Sequence, residues 1–111
     1  MKEDYPIFVQ WLAATDWILD LLEKYPKSVR FTLTTRMANL TLDVMEGIIE
    51  AIYTKQRSYI LGRINLYIEK LRILFRISFT RKYISQKQYE YASVLLDETG
   101  RMAGGWLKES L

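Results

Sequence analysis

Residues 58–82, SYILGRINLYIEKLRILFRISFTRK, decide the fold of this chain. Stepped around a helix from Ile64 at about 100° per residue, Ile60, Leu61, Ile64, Tyr67, Ile68, Leu71, Leu74, Phe75 and Phe79 fall on one broad arc. An apolar arc this wide belongs against other helices. A narrower apolar stripe, Tyr59, Leu66, Ile73 and Ile77, lies nearly opposite, on the outside of whatever core the first arc builds.

The flanking sequence repeats the helical period three more times. Pro6 suits a first helical turn, and Phe8, Trp11, Leu12, Ile18, Leu19, Leu22 and Tyr25 recur at three-to-four spacing behind it. Pro26 disfavours the α conformation at Tyr25 and closes that helix. Leu33, Met37, Leu40, Val44, Ile48 and Ile52 form a second helix, with Gly47 inside it at a cost of ~1 kcal/mol relative to Ala. Ser85-Gln86-Lys87-Gln88 reads as a capping box ahead of Tyr89, Ala92, Leu95, Leu96, Thr99 and Met102. The predicted helices span about 6–25, 29–54, 58–82 and 86–108. Short connections make neighbours antiparallel, so residues 1–111 are expected to form one all-α domain, an up-down-up-down four-helix bundle.

Composition removes most chemistry. The 111 residues contain no Cys and no His. Disulfides, thiolate metal sites, cysteine nucleophiles, imidazole bases and the usual triads are therefore absent. Asp16, Asp20 and Glu23 share a face, as do Asp43, Glu46 and Glu50, but the Glu-x-x-His pairs of di-iron bundles cannot be built. No cofactor, metal or catalytic residue is expected, and no enzymatic activity. A start of Met1-Lys2-Glu3-Asp4-Tyr5-Pro6 with no apolar run behind it points to a cytoplasmic protein that does not enter a membrane.

Charge carries more information. The formal net charge of +3 averages three unlike segments. Residues 1–54 hold five basic and eight acidic side chains, and residues 89–111 hold two and four. Residues 55–88 hold nine basic side chains against Glu69 alone. Within that segment Arg57, Arg63, Lys70, Arg72, Arg76, Arg81 and Lys82 are the candidates for binding nucleic acid, because a dense basic face releases counterions from phosphates. The same residues also fit a solvated face that pairs with acids on the first and fourth helices. Tyr59, Leu66, Ile73 and Ile77 are the candidate surface for self-association or for a protein partner.

Two further stretches carry a resemblance. Tyr25-Pro26-Lys27-Ser28-Val29-Arg30-Phe31-Thr32-Leu33 resembles the F-P-K-S-x-R-F-T-L signature of the accessory variability determinant family of diversity-generating retroelements. Leu95-Leu96-Asp97-Glu98-Thr99-Gly100-Arg101-Met102-Ala103-Gly104-Gly105-Trp106-Leu107-Lys108 resembles its closing segment. The likeness runs in order from about Phe8 to Lys108. Tyr25 and Ala103 stand where the family usually has Phe and Leu, and Thr34 where Gly is common.

The resemblance implies a non-catalytic homopentamer of four-helix bundles. Such a protein associates with the element's reverse transcriptase and supports mutagenic cDNA synthesis from template-repeat RNA. RNA or DNA is then a partner. On this reading Lys27, Ser28, Arg30 and Arg36 are candidate motif or partner-binding residues. The alternative is a stand-alone structural bundle of the ribosomal RNA intervening-sequence type, without a polymerase partner. Local physics offers simpler roles for some residues. Ser28 and Thr32 are suited to cap the second helix, and Phe31 to pack at its start. Trp106 is expected as a packing anchor, and Gly104-Gly105 either admits another backbone or only ends a helix.

Overall fold

Pro6 starts the first helix at its first turn, and the computed structural model, which describes residues 2–111, carries that helix, α1, over Pro6–Leu22. α2 spans Thr35–Ile52, α3 Arg57–Thr80 and α4 Gln86–Ser110. No strand occurs among the described residues. Each helix packs on its neighbours in sequence, and α1 closes the ring against α4. With connections of four residues (53–56) and five (81–85), this is the expected antiparallel bundle, 42 × 24 × 22 Å.

The core follows the wide arc of α3. Leu61, Ile64, Ile68, Leu71 and Phe75 are buried against Trp11 and Ile18 of α1, Met37, Val44 and Ile48 of α2, and Leu96 of α4. Full burial of each such side chain is worth roughly 1.5–3 kcal/mol, which makes this shared interior the main source of stability. Polar groups inside it are mostly satisfied. Trp11 Nε1 donates to the Thr41 carbonyl at 3.0 Å, and Thr99 Oγ1 donates to the Leu95 carbonyl and meets Gln10 of α1. Two residues of the expected arcs sit further out. Phe79 lies at the rim, stacked on Tyr89 with ring centroids 4.9 Å apart, and Leu12 is exposed on the outer side of α1.

The ends of the helices show where local chemistry overrides the apolar period. The capping box is complete: Gln88 N–H donates to Ser85 Oγ at 3.1 Å, and Ser85 N–H donates to Gln88 Oε1 at 2.8 Å. α4 does not stop at Gly104-Gly105 but continues through both to Ser110.

α2, expected from residue 29, begins at Thr35. Lys27–Val29 form a 3₁₀ turn and Arg30–Thr34 a π turn. The π turn is held by Thr35, whose N–H and hydroxyl both donate to the Arg30 carbonyl five residues back. Neither Ser28 nor Thr32 caps a helix. Thr32 Oγ1 donates to the Val29 carbonyl instead, and no side chain caps α2. Phe31 does not pack at the helix start; it is 87% exposed. Leu33 and Met37 fix the inward face, and Phe31, two residues before Leu33, lies about 200° around a helix from it.

At the far end of α3 the chain turns through a Schellman motif. Tyr83 N–H donates to the Ser78 carbonyl and Lys82 N–H to the Phe79 carbonyl, with Lys82 in the left-handed region at φ 65°.

Candidate nucleic-acid interface

The antiparallel topology brings together what the sequence separates. The C-terminus of α1, the N-terminus of α2, the C-terminus of α3 and the N-terminus of α4 share one end of the bundle. There the Tyr25 and Tyr83 rings meet, centroids 5.8 Å apart, and Ser78 Oγ lies 3.6 Å from Met37 Sδ. Residues 24–42 and 70–89 contain no acidic side chain, with four basic ones in the first stretch and six in the second. Lys24, Lys27, Arg30, Arg36, Arg76, Arg81, Lys82 and Lys87 therefore crowd this end, faced by Asp20 of α1, Glu23 just past its C-terminus and Glu90 of α4. Glu90 accepts from Gln86 Nε2 at 3.1 Å.

The candidates divide. Arg76 and Lys82 are exposed, with no ion pair or side-chain hydrogen bond among the described residues. Arg81 is also exposed, its Nε donating to the Tyr83 hydroxyl at 3.1 Å, a bond that raises its already high pKa. Lys70 lines an open groove of about 580 Å³ between α2 and α3 together with Arg36, Asn39, Asp43, Glu69 and Ile73. That groove joins a motif residue, Arg36, to the α3 set. Lys27 and Arg30 line a second hollow of about 530 Å³ with Glu23, Tyr25, Pro26 and Thr34. Ser28 is exposed on the 3₁₀ turn.

Besides Arg81, three of the seven basic residues already have partners. Arg72 forms an ion pair with Asp97 of α4 and a second with Glu69 at 3.5 Å, which is the pairing with acids that charge alone left open. Arg57 lies at the opposite end. Its Nε and Nη2 donate to the Thr54 carbonyl at 3.2 and 3.0 Å, and its guanidinium stands 5.1 Å from the Trp106 ring centre. Arg63 lies across the outer stripe, donating to the hydroxyls of Tyr59 and Tyr67, and these bonds raise its pKa.

The outer stripe itself is open. Tyr59, Leu66, Ile73 and Ile77 are 72, 52, 47 and 40% exposed. Other exposed apolar side chains are Val9 and Leu12 of α1 and Tyr91 and Val94 of α4, all about half exposed. Trp17 of α1 and Tyr91 touch edge to face, ring centroids 4.8 Å apart. Val9, Tyr91 and Val94 showed in the sequence as apolar residues off the core phase of their helices. Trp106 is the anchor expected of it, with its ring 5.2 Å from that of Tyr5. No Cβ added at Gly104 or Gly105 would meet an atom within 4 Å, so neither glycine serves close packing inside the bundle.

A family model described as bAvd-like matches residues 9–110, nearly the whole chain. The chain belongs to the bAvd-like family. No curated protein matches it. The match covers both stretches that carried the resemblance and every helix from Val9 onward. For this bAvd-like chain, no group of acidic side chains among the described residues could hold a metal ion. Among the described residues no helix is long and apolar enough to cross a membrane.

Proposed function

We propose that this bAvd-like protein is a non-catalytic accessory subunit of a diversity-generating retroelement. It binds the element's reverse transcriptase and nucleic acid, and supports mutagenic cDNA synthesis from template-repeat RNA. The family match over residues 9–110 carries this reading. The physical observations agree with it. A chain without His or Cys has few means of catalysis, while the basic end offers phosphates a concentrated positive field.

Nucleic-acid contact is assigned to Arg76, Arg81, Lys82 and Lys70, joined by Lys27, Arg30 and Arg36 from the motif. Arg57, Arg63 and Arg72 hold structure or bear on neighbouring side chains first. Self-association as a homopentamer would use the open apolar stripe of α3. A closed ring needs a head-to-tail contact between different patches, and the Tyr59–Leu66–Ile73–Ile77 stripe supplies one of them.

Co-purification with the reverse transcriptase encoded beside this gene tests the reading. Retention of the polymerase on tagged protein supports it. A protein that captures no polymerase from its own element favours the stand-alone structural bundle. In light scattering, Ile73→Asp should lower the mass of the assembly, and a wild-type protein that is monomeric at micromolar concentration contradicts the ring.

A further inference from the structure

We infer that the turn between α1 and α2 is a binding site for single-stranded nucleic acid, in which a base stacks on Phe31 while neighbouring phosphates are held by Lys27 and Arg30. The inference deepens the nucleic-acid part of the reading above and rests on it.

Phe31 is the starting observation. At 87% exposed it is the most open aromatic side chain of the described residues, in a segment whose other apolar members, Val29 and Leu33, turn toward the bundle. The remaining side chains around it are polar or cationic: Lys27, Ser28, Arg30, Thr32, Thr35 and Arg36, all exposed. A ring left in water costs stability that an inward phase would have recovered.

The backbone holds the ring where it is. The 3₁₀ and π turns of residues 27–34 are tied back by Thr32 and Thr35, so Phe31 projects from ordered chain. π turns recur at functional sites.

The chemistry of the surroundings selects the occupant. A protein hot spot is a tightly packed apolar centre ringed by contacts that exclude water. Phe31 has no such apolar ring in its own segment. Cations along a path with a free aromatic face are instead the pattern of sequence-tolerant single-strand binding. Base faces are available in an unpaired strand and hidden inside a duplex, so the ring favours single strands. The site also continues into further positive charge: Arg76, Arg81 and Lys82 stand at the same end of the bundle and extend the track for the backbone.

Fluorescence anisotropy with labelled oligouridylate and oligothymidylate of about 12 nucleotides tests the site. Phe31→Ala should weaken binding at least about tenfold, the loss of one stacked base. Phe31→Trp should retain it, and Phe31→Leu should behave as Phe31→Ala. The combined Lys27→Glu, Arg30→Glu variant should weaken binding and flatten the salt dependence, which Phe31→Ala leaves unchanged. A duplex of the same length should compete poorly. Equal affinity of Phe31→Ala and wild type overturns the proposal, as does full binding by Phe31→Leu. If Phe31→Ala binds oligonucleotide normally but loses the polymerase, the turn is a protein-docking site and the proposal is wrong. If wild-type protein retains the polymerase yet binds neither oligonucleotide, this inference fails and the accessory-subunit reading stands.

Discussion

Arg72 on α3 donates to Asp97 on α4, and the pair removes one arginine from the basic field that α3 presents. Exposed pairs contribute about 0–1 kcal/mol, so this one matters more for charge than for stability. Asp97→Asn should leave the melting temperature nearly unchanged and raise affinity for single-stranded oligonucleotide by up to about fivefold. Arg76→Glu should weaken binding more than Arg72→Glu. Equal losses in anisotropy titrations would place Arg72 among the phosphate contacts.

Lys82 holds a left-handed conformation where helices usually place Gly. A side chain there costs about 1–2 kcal/mol, and part of any gain from Gly is offset by the greater freedom of the unfolded chain. Lys82→Gly should stabilise the fold by about 0.5–1 kcal/mol in urea titration. The same variant should bind nucleic acid less tightly, with a salt slope shallower by about 1. A stabilised variant with unchanged binding would remove Lys82 from the interface.

Gly47 sits against Ile64, where an added Cβ would lie 3.0 Å from Cγ1. Ile64 is fully buried and stiff at χ1, so it cannot yield cheaply. Overpacking of about 1–3 kcal/mol should outweigh the ~1 kcal/mol gained in helix propensity. Gly47→Ala is expected to lower stability, whereas Gly104→Ala, with nothing within 4 Å, should raise it by about 1 kcal/mol. Chemical denaturation of the two variants decides the matter.

Tyr25 stands where the resembling family has Phe, and its buried phenol has no hydrogen-bond partner among the described residues; the nearby Ser78 hydroxyl, which would hold the pKa down, donates to the Leu74 carbonyl instead. Burial holds the Tyr25 pKa above its ordinary 10.0. Below pH 10 both folded and unfolded states keep the proton, and stability is unaffected. Above it the unfolded state ionises first, so stability falls as pH rises toward the folded value. Tyr25→Phe should be neutral or stabilising by up to about 1 kcal/mol at pH 7, and should reduce the alkaline loss. A large destabilisation at neutral pH would mean the phenol has a partner after all.

The helical bundle was legible because periodicity reports burial, and burial of Leu61, Ile64, Ile68, Leu71 and Phe75 is what fixes α3. The capping box was equally legible, since its chemistry is local. The 27–34 segment was not. Its π turn depends on Thr35 bonding to the Arg30 carbonyl, a competition between side chain and backbone that apolar spacing does not register. The basic site was read as a face of α3 because charges were counted along the chain. Its concentration at one end required the antiparallel packing that sets residues 24–42 beside residues 70–89. Pairing of Arg72 with Asp97, 25 residues apart, likewise needed the α3–α4 contact.

The most direct test is template-primed cDNA synthesis by the element's reverse transcriptase on template-repeat RNA, with and without this protein. The account predicts cDNA that depends on the wild-type protein and is strongly reduced with an Arg76→Glu, Arg81→Glu variant that remains helical. Equal cDNA yield and mutation frequency in the absence of the protein would contradict it.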